Sequence, residues 1–181
     1  MTHLPIWYIG QAPLDECDRA SAEILELPPF DATMGSSGER RAHAHRSTTV
    51  RFAPDKHWFG QRMFAFAQEA NRQTEWNYEL VGHEAWQHAT YGVDQHYEWH
   101  VDNFPLTRGN IDRKVTVVCL LNDPSEFDGG EFQMRLYQEY VAPLGKGSVI
   151  AFPSILEHRV TPVTRGVRMS ATMWLNGPRF R

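Results

Sequence analysis

Gly166-Val167-Arg168-Met169-Ser170-Ala171-Thr172-Met173-Trp174 decides the fold class. Side chains on a strand alternate between faces. Val167, Met169, Ala171 and Met173 then share an apolar face that can pack on helices. Arg168, Ser170, Thr172 and Trp174 share a polar face that would line an interior. An arginine turned inward requires an anion, because a buried charge without a partner is costly. The residues alone leave that anion open. It is either an internal Asp or Glu, or a ligand carboxylate suited to the guanidinium fork.

Upstream, the same alternation places His100 and Asp102 of Tyr97-Glu98-Trp99-His100-Val101-Asp102 side by side. An imidazole and a carboxylate are two parts of a metal site. His158, in Ser154-Ile155-Leu156-Glu157-His158-Arg159-Val160, is the candidate third ligand. Two His and one carboxylate leave coordination positions free, the pattern of non-haem Fe(II) oxygenases. His-x-Asp also occurs by chance, and a single strand histidine is more often a satisfied polar residue. The combination with Arg168 is what shifts the reading.

The region from Tyr78 onward has the texture of a β domain. Short aromatic and β-branched runs alternate with Gly, Pro, Asn and Asp. Strands are expected near 78–91, 95–102, 114–122, 131–141, 147–152, 157–163 and 167–175. Turns are expected at Asp128-Gly129-Gly130 and Leu144-Gly145-Lys146-Gly147. About seven short antiparallel strands predict a sandwich or jelly roll rather than a βαβ sheet.

The first part of the chain is helical support. Residues 1–13 read as an extended lead-in. A helix is expected over 14–27, with Leu14, Cys17, Ser21, Ile24 and Leu25 on its core stripe, ended by Pro28-Pro29. A second is expected over 55–76, capped by Asp55, with Phe59, Met63, Phe66 and Ala70 facing the sheet. Residues 31–47 read as a Gly/Ser-rich loop, and Thr48 to Phe52 as a short strand. Arg40, Arg41, Arg46 and Arg51 cluster there with His43 and His45, either as a solvated surface or as a substrate-facing loop.

The 181 residues, 41% hydrophobic, fit a single domain over 1–181, with support in 14–76 and a jelly-roll core over about 78–175. The formal charge of −4 gives no general attraction to nucleic acid or anionic membranes. The start has no basic n-region followed by an apolar run, and a cytoplasmic location is expected. Cys17 and Cys119 are expected to be reduced core residues.

The motifs together resemble the Fe(II)- and 2-oxoglutarate-dependent dioxygenases, and within them the prolyl 4-hydroxylase-like branch. The resemblance spans about Tyr91 to Leu175. It is carried by Tyr91-Gly92 with Tyr97-x-x-His100-x-Asp102, and by Arg113-Lys114 leading into Val115-Thr116-Val117-Val118-Cys119-Leu120-Leu121-Asn122. Phe127-Asp128-Gly129-Gly130-Glu131-Phe132 continues it, followed by Gly147-Ser148-Val149-Ile150-Ala151-Phe152-Pro153. His158-x-Val160, Pro162-Val163 and Gly166-x-Arg168-x-Ser170 complete it. The resemblance implies a double-stranded β-helix, mainly β with flanking helices. It implies His100, Asp102 and His158 as iron ligands and Arg168 on the distal carboxylate of 2-oxoglutarate. Tyr91 would help hold that carboxylate, and Ser170, Thr172 and Trp174 would line the cosubstrate pocket. The implied cofactors are Fe(II), 2-oxoglutarate and dioxygen, with ascorbate as a reductant.

The implied reaction hydroxylates an unactivated C–H bond of a peptidyl or free amino acid, prolyl in the first place. A small molecule or modified nucleobase is the alternative substrate. Nucleic-acid dealkylases of the superfamily carry a second arginine where this chain has Trp174, which argues against that branch. Substrate recognition is expected from residues 31–47 and 103–112. A cupin-like metal module without oxygenase activity, or a hydrolytic zinc site, accounts for the donors but gives no reason for Arg168.

Overall fold

The computed structural model describes residues 6–31, 45–103 and 110–179. Two antiparallel sheets face one another, and two helices cover the outer face of the larger sheet. In chain order the elements begin β1 (Tyr8–Gln11), α1 (Leu14–Leu25), β2 (Phe30–Asp31), β3 (Arg46–Ser47), β4 (Thr49–Phe52) and α2 (Trp58–Gln73). Then come β5 (Gly82–His83), β6 (Gln87–Tyr91), β7 (His96–His100), β8 (Ile111–Leu120) and β9 (Phe127–Gly129). The last are β10 (Phe132–Arg135), β11 (Glu139–Val141), β12 (Ser148–Pro153), β13 (Glu157–Val160), β14 (Val163–Gly166) and β15 (Arg168–Pro178). The large sheet runs β1-β12-β8-β15-β6-β4-β2, with β5 also on β15. The facing sheet runs β11-β10-β13-β7-β3, and β14 pairs with β9.

Period-two alternation builds both layers of the core. Val115, Val117 and Cys119 of β8, Val149 and Ala151 of β12, and Ala171 and Met173 of β15 all face the helices. They meet Cys17, Ala20 and Ile24 of α1 and Phe59, Met63, Ala67 and Ala70 of α2. Val118 and Leu120, Ile150 and Phe152 point the other way. They pack between the sheets with Phe132, Met134 and Val160. Each fully buried Val, Ile or Phe contributes about 1.5–3 kcal/mol by transfer from water. That burial outweighs helix propensity, so α1 and α2 are held mainly by docking.

The structure shifts several expected boundaries. Residues 8–11 of the lead-in form the edge strand β1, in register with β12 from Tyr8↔Ala151 to Gln11↔Ser148. The first helix stops at Leu25, and its stripe is Cys17, Ala20, Ser21 and Ile24; Leu14 and Leu25 are exposed. The second helix starts at Trp58, and its cap is His57 rather than Asp55. His57 Nδ1 accepts from the Phe59 amide and the Trp86 indole, while its Nε2 lies 3.0 Å from Glu23. Three partners brought from different elements thus give an imidazole the role that propensity assigns to aspartate. Phe66 is half-buried, and Ala67 takes the expected inner position.

Within the β region, 78–81 is not strand, and β8 begins three residues earlier than expected, at Ile111. The stretch 131–141 is a hairpin of β10 and β11, and 157–163 is split between β13 and β14. Asp128 and Gly129 lie in β9 rather than in a simple turn. Arg46 and Ser47 pair with Tyr97 and His96 as strand β3, while the rest of the expected 31–47 loop beyond Asp31 and His45 lies outside the described residues. Cys17 and Cys119 are buried free thiols with their sulfurs 4.0 Å apart, in contact rather than bonded.

Candidate metal and cosubstrate site

The site lies between the two sheets. The smaller sheet supplies His100 at the end of β7 and His158 in β13, in register opposite each other. Asp102 lies just beyond β7, where its amide donates to the Ser154 carbonyl at 2.9 Å. That contact ties it to the turn between β12 and β13. The donor atoms of His100, Asp102 and His158 all lie within 4.8 Å of one another. His158 Nε2 is 3.3 Å and His100 Nε2 is 3.8 Å from the Asp102 carboxylate.

Both imidazoles are oriented from behind. His100 Nδ1 lies 2.7 Å from the Glu98 carbonyl, and His158 Nδ1 lies 2.9 Å from the Leu156 carbonyl. A carbonyl only accepts, so each Nδ1 carries the proton in its neutral ring. Each Nε2 then presents a lone pair to the centre, as a metal ligand requires. Tyr97 stacks on His100 with ring centroids 3.5 Å apart and fixes its tilt. Phe152 meets the His158 ring edge-on at 4.8 Å.

The charge states suit a cation. Burial, reinforced by His158, pushes the His100 imidazole down to about 3, so it is neutral at ordinary pH. Burial alone would raise the Asp102 carboxyl, but the protonated forms of His158 and then His100 oppose it and hold it well below the usual range. Thr116 Oγ1 donates to Asp102 Oδ2 at 2.8 Å and sits 3.0 Å from the Ser154 hydroxyl. The Trp174 indole N–H lies towards Asp102, near enough to lower its pKa yet outside hydrogen-bond geometry.

The opposite wall is β15. Arg168, Ser170, Thr172 and Trp174 all line the cavity, together with Gln87 and Tyr91 of β6. The polar face expected from alternation is therefore the inner face. Arg168 pairs in register with Tyr91, and its guanidinium lies 5.5 Å from the Tyr91 ring. It is 2% exposed, and among the described residues its side chain hydrogen-bonds only Ser170 Oγ, at 2.9 Å. Among the described residues no carboxylate ion-pairs with it. Burial pulls its pKa down, which is the cost of a charge awaiting an anion.

Residues 86–176 match the family model of the 2OG-Fe(II) oxygenase superfamily. This chain belongs to that superfamily. A PKHD-type hydroxylase of Nitrosomonas europaea is 37% identical over 89 residues, which cover 46% of this chain and 39% of that protein. A PKHD-type hydroxylase of Caulobacter sp. is 34% identical over 90 residues, covering 47% and 40%. The chain thus spans about 40% of the length of the curated relatives it matches. Among solved structures it is similar to a Pseudomonas putida prolyl-4-hydroxylase, with TM-score 0.67, 25% identity and coverage of 97% and 94%. The viral collagen prolyl hydroxylase of Paramecium Bursaria Chlorella virus-1 shares the fold, with TM-score 0.71 at 17% identity and coverage of 96% and 97%.

The superfamily's two groups fit the residues present. Two imidazole nitrogens and a carboxylate are donors that Fe(II) accepts. The buried guanidinium, without a counter-ion among the described residues, fits the free end of a dicarboxylate. Sequence reasoning missed Thr116 and Ser154, which hold Asp102, and the stacking of Tyr97 on His100. Thr116 had left a signal, a lone polar residue within Val115–Leu121 at the inward parity of Val118 and Leu120. Of the two expected recognition segments, 32–44 and 104–109 lie outside the described residues. No helix of the described residues is long and apolar enough to cross a membrane.

Proposed function

We propose that this chain catalyses Fe(II)- and 2-oxoglutarate-dependent hydroxylation of an unactivated C–H bond, in the manner of a prolyl 4-hydroxylase acting on a peptidyl or free amino acid. The observation that carries the reading is Arg168: a buried cation with no described carboxylate, across one cavity from a two-His, one-carboxylate donor set. His100, Asp102 and His158 would hold Fe(II). Arg168 would take the distal carboxylate of 2-oxoglutarate, with Tyr91 and Ser170 beside it and Thr172 and Trp174 lining the pocket.

Bound there, Fe(II) with 2-oxoglutarate and dioxygen supplies the oxidising power, giving succinate and carbon dioxide alongside the hydroxylated product. The chain's own work is positional and electrostatic. The Glu98 and Leu156 carbonyls anchor both Nδ1 atoms and aim both Nε2 atoms inward. Thr116 holds the Asp102 carboxylate in place by a hydrogen bond to Oδ2. Val118, Phe132 and Val160 form the apolar part of the wall and exclude water.

The test is aerobic turnover of 2-oxoglutarate with Fe(II), scored as succinate, with and without proline-containing peptides and free L-proline. The expected result is iron-dependent succinate that rises with one of these substrates and is lost in Asp102→Ala while the folded circular dichroism remains. Undiminished succinate from Asp102→Ala would remove that residue from the site. Absence of iron-dependent turnover in the wild type would overturn the reading.

A further inference from the structure

The cavity has a second arginine, on the sheet opposite Arg168. Arg46 lies in β3 and lines the cavity with His100, Asp102 and His158. Its guanidinium lies 4.5 Å from the Tyr97 ring centroid, and Tyr97 in turn stacks on His100. The charge therefore sits one aromatic ring away from a metal-facing imidazole. The side chain is only 9% exposed, and its Nε is buried with no hydrogen-bond partner.

Among the described residues Arg46 has no ion pair. The aromatic face offsets part of the burial cost but satisfies none of the N–H donors. Asp102 is the cavity's own carboxylate, and its contacts are with Thr116 and the two imidazoles. Tyr97 provides no countercharge, since burial pushes its phenol up and keeps it neutral. The sequence around Arg46 is mostly cationic: Arg40, Arg41, His43, His45 and Arg51 lie within a few residues of it, against the one acid Glu39.

Resting on the reading above, 2-oxoglutarate occupies Arg168 with one carboxylate and the metal with its other end. Arg46 stands on the sheet opposite Arg168 and is needed for neither of those assignments. We propose that Arg46 binds a carboxylate of the primary substrate, and so restricts this site to molecules with an acid close to the reacting C–H bond. Two sources carry that chemistry: the α-carboxylate of a free amino acid, or an acidic side chain next to the target residue of a peptide. A guanidinium fork discriminates strongly between a carboxylate and its amide, because the amide offers one acceptor oxygen and no charge.

The experiment uses anaerobic Fe(II)-loaded protein and calorimetric binding rather than turnover. 2-Oxoglutarate is titrated first. Matched pairs follow: L-proline against L-prolinamide, and a blocked proline peptide with Glu beside the proline against its Gln counterpart. The expected result is that the acid of at least one pair binds at least about tenfold more tightly than its amide, the effect of one charge-assisted hydrogen bond. The pair that shows the preference identifies the source. Arg46→Gln should abolish the preference and leave 2-oxoglutarate affinity unchanged, and Arg46→Lys should retain part of it. Equal binding of acid and amide, no binding by either pair, or a preference surviving in Arg46→Gln overturns the proposal. If Arg46→Gln fails to fold, the wild-type ratio and the Arg46→Lys variant still decide it. Failure of 2-oxoglutarate itself to bind would overturn the oxygenase reading instead.

Discussion

Replacing Arg168 with methionine separates a ligand-binding charge from a structural one. The side chain is 2% exposed, has Ser170 as its only hydrogen-bond partner among the described residues, and has its pKa pulled down by burial. Folding the apoprotein therefore desolvates a cation and returns little. Methionine keeps most of the volume and removes the charge, an exchange that is neutral or stabilising at buried sites. The apoprotein should hold or gain about 1 kcal/mol, which for a chain of this length raises Tm by roughly 2–4 °C. Binding changes in the other direction. Hydrogen bonds to a charged group are worth about 1.5–3 kcal/mol, so 2-oxoglutarate affinity should fall roughly 10- to 150-fold. At a concentration a hundred times the wild-type Kd, the cosubstrate stabilises the wild type by about 2.7 kcal/mol; with a hundredfold weaker Kd this drops to about 0.4 kcal/mol. Scanning calorimetry of both proteins, apo and with Fe(II) and 2-oxoglutarate under anaerobic conditions, reads both quantities. A variant that is clearly destabilised without ligand, yet equally protected by 2-oxoglutarate, would refute the assignment. Arg168→Lys should fall between the two, since it keeps the charge and loses the fork.

Two further outcomes test the scaffold. His88 is fully buried against Ser21, and burial, with the Arg51 charge adding, pushes its imidazole down to about 4. Its unfolded pKa is near 6.5, so between these values the unfolded chain binds more protons; stability is complete above about pH 6.5 and is lost as pH falls towards 4. The full shift is worth roughly 3 kcal/mol, and His88→Gln should flatten the acid limb of apoprotein urea unfolding by about that amount; an unchanged limb would show that His88 titrates freely. Gly166 has φ +72° and precedes Arg168, and an added Cβ would meet the Glu126 carbonyl oxygen. Gly166→Ala should cost at least about 1–2 kcal/mol from left-handed backbone strain alone and weaken 2-oxoglutarate binding through the displaced β15; a wild-type Tm would contradict this.

Much of the site was legible because alternation is a local rule. Arg168, Ser170, Thr172 and Trp174 share a face by parity, and that face proved to be the inner one. His100 and Asp102 were paired by the same argument, although Asp102 lies just past the strand end and is held by Ser154 and Thr116. Those partners come from β8 and the turn after β12, and no local pattern announces such a long-range hydrogen bond. The His57 cap was missed for the same reason, since Glu23 and Trp86 arrive from other elements. The split of 157–163 into two strands follows from β14 leaving the smaller sheet to pair with β9, a tertiary choice that β propensity cannot express. Arg46 was visible only as one of several clustered cations; its pairing with β7 is what selects it from the group.

The most direct test of the central claim is an anaerobic titration of Fe(II) and then 2-oxoglutarate into the apoprotein, monitored in the visible range. The account predicts a weak metal-to-ligand charge-transfer band that forms only with both present, is absent in Asp102→Ala, and needs more 2-oxoglutarate in Arg168→Met. Fe(II) binding with no such band at saturating 2-oxoglutarate would contradict it, leaving the three residues as a metal site without a cosubstrate.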